Sequence, residues 1–294
     1  RIGYACINTQ LPSPNRTCRL SNATPEKIIE LARENLRRLE NVLHWNAEHG
    51  ITLFRISSDT IPFGSHEVNT VTWWEILQPE FERIGAFIRT HKIRVSMHPG
   101  QFTVLNSKRA DVVQKSVAEL EYHARFLDAL GTDFSSKIIV HLGGVFGDKQ
   151  ASLNRFIENF GLLSESAQRR LIVENDEKSY SLADALAVSK ALAIPVVFDV
   201  FHHHWNPSFD DAPLAELIDM ATQTWREVDG RPKLHYSNQW PGKPPGAHSQ
   251  IVEIDAFREF YQNLNGQALD IMLETKDKEQ SVLKIYREIP ALAG

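Results

Sequence analysis

The feature that most constrains this chain is an eightfold alternation. Short runs rich in β-branched and aromatic residues recur with amphipathic stretches of helical period between them. Strands are expected at 2–8 (IGYACIN), 51–58 (ITLFRISS), 93–98 (IRVSMH), 137–142 (KIIVHL), 171–175 (LIVEN), 195–201 (PVVFDVF), 232–237 (PKLHYS) and 268–274 (ALDIMLE). Helices are expected at 25–49, 74–92, 111–130, 150–169, 181–192, 213–226, 254–264 and 277–288. The first is clearest: Thr24 is a candidate N-cap, Pro25 occupies the first turn, and Gly50 ends it. Gly85 is a mild objection to the second. Eight strand–helix units without a polar linker or low-complexity segment fit a single α/β domain over 1–294, a (β/α)8 TIM barrel. An open, doubly wound sheet fits less well, because INTQLPSPNR after the first strand lacks the glycine-rich phosphate turn.

Composition narrows the function classes. With 42% hydrophobic and 23% charged residues the chain can bury a large core. No apolar run approaches the ~18 residues of a membrane span, and the start lacks a charged segment followed by an apolar one, so a soluble, cytoplasmic protein is expected. Cys6 and Cys18 are expected to be unpaired thiols outside the chemistry. A net charge of -5 argues against coating nucleic acid by bulk electrostatics, though a local groove stays open.

Six of the eight strands end in a metal-type side chain. His98, His141, Glu174, Asp199 (with His202 three residues on), His235 and Glu274 all fall at or near strand ends, which converge on one face of a barrel. Imidazole with carboxylate suits zinc, manganese or iron(II) better than magnesium or calcium. His66 and His248, in loops after strands two and seven, are candidates for a third metal or for a substrate phosphate. Of the run His202–His203–His204, the D-x-x-H spacing favours His202; the other two support the rim or face solvent. Residues two apart on a strand share a face, so Lys233 points inward if His235 does. A cation there must be neutralised, so Lys233 is expected either to be carbamylated or to pair with a site carboxylate. The same alternation puts Tyr4 and Asn8 on one face, either lining the mouth or filling the core.

The motifs HPGQF (98–102), HLGG (141–144), VENDE (173–177), FDVFHHHW (198–205), KLHYS (233–237), AHSQ (247–250) and LETK (273–276), with GYACIN and RISSD, together resemble the ultraviolet damage endonucleases over nearly the whole chain. The broader order of motifs is similar to the apurinic-site endonucleases and, more distantly, the sugar isomerase superfamily. The resemblance implies that His98, His141 and Glu174 hold one metal; that Glu174, Asp199, His235 and Glu274 hold a second; and that His202 and His248 hold a third. Glu174, His66 and Lys233 are the catalytic candidates. It further implies two or three Mn2+ ions (Zn2+, Co2+ or Mg2+ as substitutes) and incision immediately 5' to cyclobutane pyrimidine dimers and 6-4 photoproducts. Other distorting lesions, abasic sites among them, are also implied substrates, and Gln101 with Phe102 becomes a wedge into the duplex.

Such a site hydrolyses a phosphodiester without a covalent enzyme intermediate, leaving a 3'-hydroxyl and a 5'-phosphate. The expected partner is damaged double-stranded DNA, met by a monomer, and Lys108 and Arg109 beyond the wedge are candidate backbone contacts. The rival function is a metal-dependent sugar isomerase or epimerase, which needs a closed pocket and two metals or fewer. The third-site histidines and the rim aromatic favour nucleic acid.

Overall fold

In the computed structural model, which describes residues 1–209 and 211–293, eight parallel strands close into a barrel in chain order. They are β1 (Ile2–Ala5), β2 (Leu53–Ile56), β3 (Arg94–Met97), β4 (Ile138–His141), β5 (Leu171–Glu174), β6 (Val196–Asp199), β7 (Lys233–Tyr236) and β8 (Asp270–Leu273). All eight expected strands are present, each trimmed to four residues, and β1 pairs with β8 through Ile2↔Ile271 to Tyr4↔Leu273. The helices are α1 (Pro25–Glu48), α2 (Trp73–Ile76), α3 (Gln78–Thr90), α4 (Ala110–Ala129), α5 (Lys149–Phe160), α6 (Glu165–Arg170), α7 (Leu182–Leu192), α8 (Val200–Trp205), α9 (Leu214–Thr222), α10 (Ile254–Gln262) and α11 (Glu279–Glu288).

Local chemistry explains most helix boundaries. Thr24 caps α1 by accepting from the Lys27 amide. The expected second helix divides at Leu77, where Pro79 starts a new first turn. The expected fourth divides because Ser164 caps α6 on the Ala167 amide. The sixth strand ends earlier than expected: Asp199 accepts from the His202 amide and opens α8 in place of two further strand residues. No helix of the described residues is long and apolar enough to cross a membrane.

Strand parity positions the site. Ala5, Leu53 and Met272 form one small cluster within the barrel; Ile139, Ile172 and Val197 form another. His141, Glu174, Asp199 and Glu274 each lie two residues beyond a member of these clusters, so the alternation that fills the barrel also aims them inward at its carboxyl end. The residues of opposite parity, Tyr4, Phe54, Val95, Val140, Val173 and Leu273 among them, join the large core between sheet and helices. Near the amino end, buried ion pairs link Arg94 to Asp270 (2.7 Å) and Lys137 to Asp229 (2.5 Å).

Gly85 has a packing reason. A Cβ built there would lie 1.9 Å from the Leu130 carbonyl oxygen at the end of α4, so α3 and α4 meet backbone to backbone. Propensity alone would make Gly85→Ala stabilising by ~1 kcal/mol. The contact reverses the sign, and we expect a loss of about 1–3 kcal/mol in thermal or denaturant unfolding. An unchanged or raised melting temperature would contradict the close approach.

Candidate metal centre

Glu174 is the hub. Its side chain is 1% exposed, and four imidazoles surround its two oxygens. Oε2 lies 3.1 Å from His98 Nε2 and 3.8 Å from His141 Nε2; Oε1 lies 2.6 Å from His235 Nδ1 and 3.8 Å from His202 Nδ1. The register produces two of these neighbourhoods directly, pairing His141 with Glu174 and Asp199 with His235. Glu274 adds a second carboxylate, its Oε1 3.2 Å from His235 Nδ1 and its Oε2 3.8 Å from His248 Nδ1.

Three sets bring ligand atoms within 4.8 Å of one another: His98, His141 and Glu174; Glu174, His235 and Glu274; and Glu174, Asp199 and His202. The first contains the same residues as the first ligand set that the resemblance implies; the second contains three of the four residues of the second set, without Asp199. In the third, Asp199 stands with His202: one oxygen of the carboxylate caps α8 on the His202 amide and the other lies 3.5 Å from His202 Nδ1. His248 belongs to none of the three, although its ring is 5.7 Å from that of His202.

The hydrogen bonds fit these residues to cations. A carbonyl only accepts, so His98 Nδ1 must donate to Pro99 O (3.0 Å), His202 Nδ1 to Asn175 O (3.0 Å) and His248 Nδ1 to Glu274 O (2.9 Å). In the neutral ring each bond places the proton on Nδ1 and the lone pair on Nε2, the arrangement that metal-binding histidines use. His98 Nε2 faces Glu174 Oε2 at 3.1 Å, a contact that either a proton on Nε2 or a cation bound by both groups satisfies. Asp199 Oδ2, His141 Nδ1 and His235 Nε2 are buried without a hydrogen-bond partner among the described residues, a costly state that ion binding relieves for inward-facing atoms.

The charges of the cluster hold one another. Burial would raise the Glu174 pKa, but His235 and His141 hold it well below the usual carboxylate range. Asp199 is pushed up to about 6 by burial, with His202 opposing. Burial would depress His202, yet Asp199 and Glu174 raise it to about 9. Desolvation lowers His141.

Other expected site residues fall differently. Gln101 and Phe102 form an exposed turn beyond β3, with Phe102 83% exposed. Lys108 and Arg109 are exposed; Lys108 donates to Phe146 O (2.7 Å) and Arg109 pairs with Asp111 (2.6 Å). His66 is exposed and accepts from the Val68 amide, in none of the three sets. His203 packs on Phe198 and His204 is exposed against Trp205, both in supporting positions.

Tyr4 and Asn8 do not line the mouth. Tyr4 is fully buried between sheet and α1, donating to Asn46 Oδ1 (2.7 Å) and accepting from Asn8 Nδ2 (3.1 Å). The strand ends at Ala5 and Cys6 turns to φ 71°, so the alternation fails beyond that point. Lys233 does point inward, but it sits at the start of β7, with Asp270 as register partner, and pairs with no site carboxylate. Its fully buried Nζ lacks a partner, and burial with the Arg94 charge lowers its pKa well below 10.5.

Supporting residues escaped the sequence reading. Arg55 Nη2 lies 2.6 Å from Glu274 Oε1, and only its membership of RISSD hinted at a role. Asn175 clamps Asp199 through both backbone groups (2.9 Å each), a role that its place inside VENDE could have suggested. Ser58 donates to His98 O (2.9 Å) and contacts buried His123 of α4 at 2.8 Å, which no motif signalled.

A family model described as UV-endonuclease UvdE matches residues 1–294. A UV DNA damage endonuclease of Clostridium perfringens is 43% identical over 98% of this chain and 70% of its own length, and one of Bacillus cereus is 33% identical over 92% and 85%. The crystal structure of SacUVDE superposes with a TM-score of 0.93 at 41% identity over 99% of both chains. Endonuclease IV from Thermus thermophilus (TM-score 0.58, 15% identity, 86% and 94% covered) and a D-psicose 3-epimerase (0.52, 14%, 87% of each) share the barrel alone.

Arg55 yields a test of the site's electrostatics. Burial would raise Glu274, but Arg55 and His235 hold it below the usual carboxylate range. That interaction therefore stabilises the fold at neutral pH and is lost as pH falls through the depressed pKa. Arg55→Met strands a buried carboxylate and should cost the metal-free protein about 3–5 kcal/mol at pH 7. The gap to wild type should shrink toward pH 3; a gap that is absent, or constant with pH, would contradict the pairing.

Proposed function

The chain belongs to the UV-endonuclease UvdE family, enzymes that cut DNA in repair, and from that premise we propose that it incises damaged duplex immediately 5' to photoproducts by metal-assisted phosphodiester hydrolysis. Cyclobutane pyrimidine dimers and 6-4 photoproducts are the proposed principal lesions, with abasic and other distorting lesions as further substrates. The observation that carries the reading is the buried Glu174 shared by four imidazoles, beneath a rim from which Phe102 projects.

The donor set of nitrogen and carboxylate oxygen supports manganese, with zinc, cobalt or magnesium as substitutes. His98, His141 and Glu174 would hold one ion; Glu174, His235 and Glu274, with Asp199 beside them, a second; His202 and His248 a third. When bound, divalent ions supply Lewis-acid polarisation of a phosphate oxygen and a nucleophile at neutral pH. The chain's own part is orientation: the carbonyl bonds of His98, His202 and His248 orient each ring with Nδ1 as donor, Arg55 holds the Glu274 carboxylate, and Asn175 holds the Asp199 backbone. The products are a 3'-hydroxyl and a 5'-phosphate.

Gln101 and Phe102 are the proposed wedge. An aromatic side chain exposed this fully has no packing role, and insertion at an unstacked step gives it one. Duplex already weakened by a lesion opens at lower cost, which supports recognition of distortion over base readout. His66 on the rim remains a candidate phosphate contact, and Lys108 and Arg109 candidate backbone contacts. A monomer working in the cytoplasm fits this use of one open barrel face. The sugar epimerase reading has only the shared barrel behind it.

Lys233 is the proposed carbamate. Its Nζ is buried without a partner among the described residues and burial lowers its pKa, which favours the free amine that adds carbon dioxide and releases a proton to give the carbamate. High-resolution density showing a bare amine at Lys233 in protein prepared with bicarbonate would reject this.

Incision of a duplex oligonucleotide with a single photoproduct, with and without manganese, tests the whole reading. Wild type should nick 5' to the lesion only with the ion, Glu174→Gln should fall by at least ~10³-fold, and Gln101→Ala with Phe102→Ala should lose lesion affinity by roughly tenfold or more with metal content unchanged. An intact strand together with turnover of ketose sugars would overturn the nuclease assignment.

A further inference from the structure

The segment after β7 folds back on itself beside the candidate metal centre. Gln239 bridges His248 in antiparallel fashion, and the Trp240 and Ser249 amides donate to Ala247 O and Asn238 O, each at 2.8 Å. This turn carries His248 over Glu274. It also brings two ammonium groups to the Trp240 indole, Lys243 Nζ at 5.4 Å and Lys276 Nζ at 5.3 Å from the ring centroid. Lys243 sits at the tip of the turn; Lys276 lies two residues beyond Glu274, and its amide donates to Ser249 O at 3.1 Å.

Both lysines are exposed, and among the described residues neither ammonium has a carboxylate oxygen within 4.0 Å. The indole attracts each of them, and a phosphate beside the ring could pair with both ammonium groups. The anion's place is constrained, because one lysine is tied to the backbone that follows Glu274 and the other to the turn that presents His248.

We propose that Trp240, Lys243 and Lys276 form a phosphate clamp that holds the DNA backbone next to the scissile bond. The clamp rests on the nuclease reading above and extends it to a defined strand contact. It reads charge and not sequence, so it acts equally on damaged and undamaged duplex.

The test is duplex binding as a function of salt, on matched oligonucleotides with and without one photoproduct. Lys243→Gln with Lys276→Gln should weaken binding to both by a similar factor and reduce the slope of log K against log salt by about 2, near one per lost phosphate contact. Lys92→Gln with Lys190→Gln makes the same change in net charge at exposed helix ends and should leave the slope unchanged. An unaltered slope in the first variant, an equal effect in the second, or a loss confined to damaged duplex would overturn the clamp. Absence of duplex binding by wild type would instead defeat the nuclease reading on which it rests.

Discussion

Everything at the carboxyl end of this barrel turns on one buried carboxylate. Glu174 is almost inaccessible, and a carboxylate without compensation there would cost several kcal/mol. Four imidazoles from four elements meet its two oxygens, and Arg55 restrains the neighbouring Glu274. Hydrogen bonds account for only part of that compensation. Three rings place their Nδ1 on backbone carbonyls, and several inward atoms have no hydrogen-bond partner among the described residues, which leaves a donor set that could hold a metal ion.

The rest of the barrel serves that requirement. Its interior alternates between apolar layers and charge, with Lys233, Arg94, Arg55 and Asp270 inside the sheet below the ligands. Ser58, linked to His123, holds the backbone of His98 from outside the ligand shell, and Asn175 does the same for Asp199. These outer contacts hold the backbone of both residues and so restrict where the His98 and Asp199 side chains sit.

Much of this is legible in the sequence because period and parity are local. Eight strand runs are recoverable, and six metal-type residues stand at their ends. What is lost depends on tertiary geometry. Alternation assigns Tyr4 and Asn8 to one face, but it stops at Ala5, where Cys6 takes a positive φ. Asp199 reads as part of a longer strand, whereas its carboxylate caps a short helix and so meets His202. His123 is one histidine on an amphipathic helix, and only the approach of Ser58 gives it a role. Parity aims Lys233 inward correctly, but its position near the amino end of the barrel, away from the ligand carboxylates, follows from the register with β8.

The central claim is that Glu174 is shared between divalent ions. Anomalous diffraction at the manganese edge, from crystals grown with the ion, addresses it most directly. The account predicts at least two peaks at coordination distance from Glu174 oxygens, one also beside His98 and His141 and another beside His235 and Glu274. No peak within reach of Glu174, with its contacts to His98 and His235 retained as plain hydrogen bonds, would contradict it.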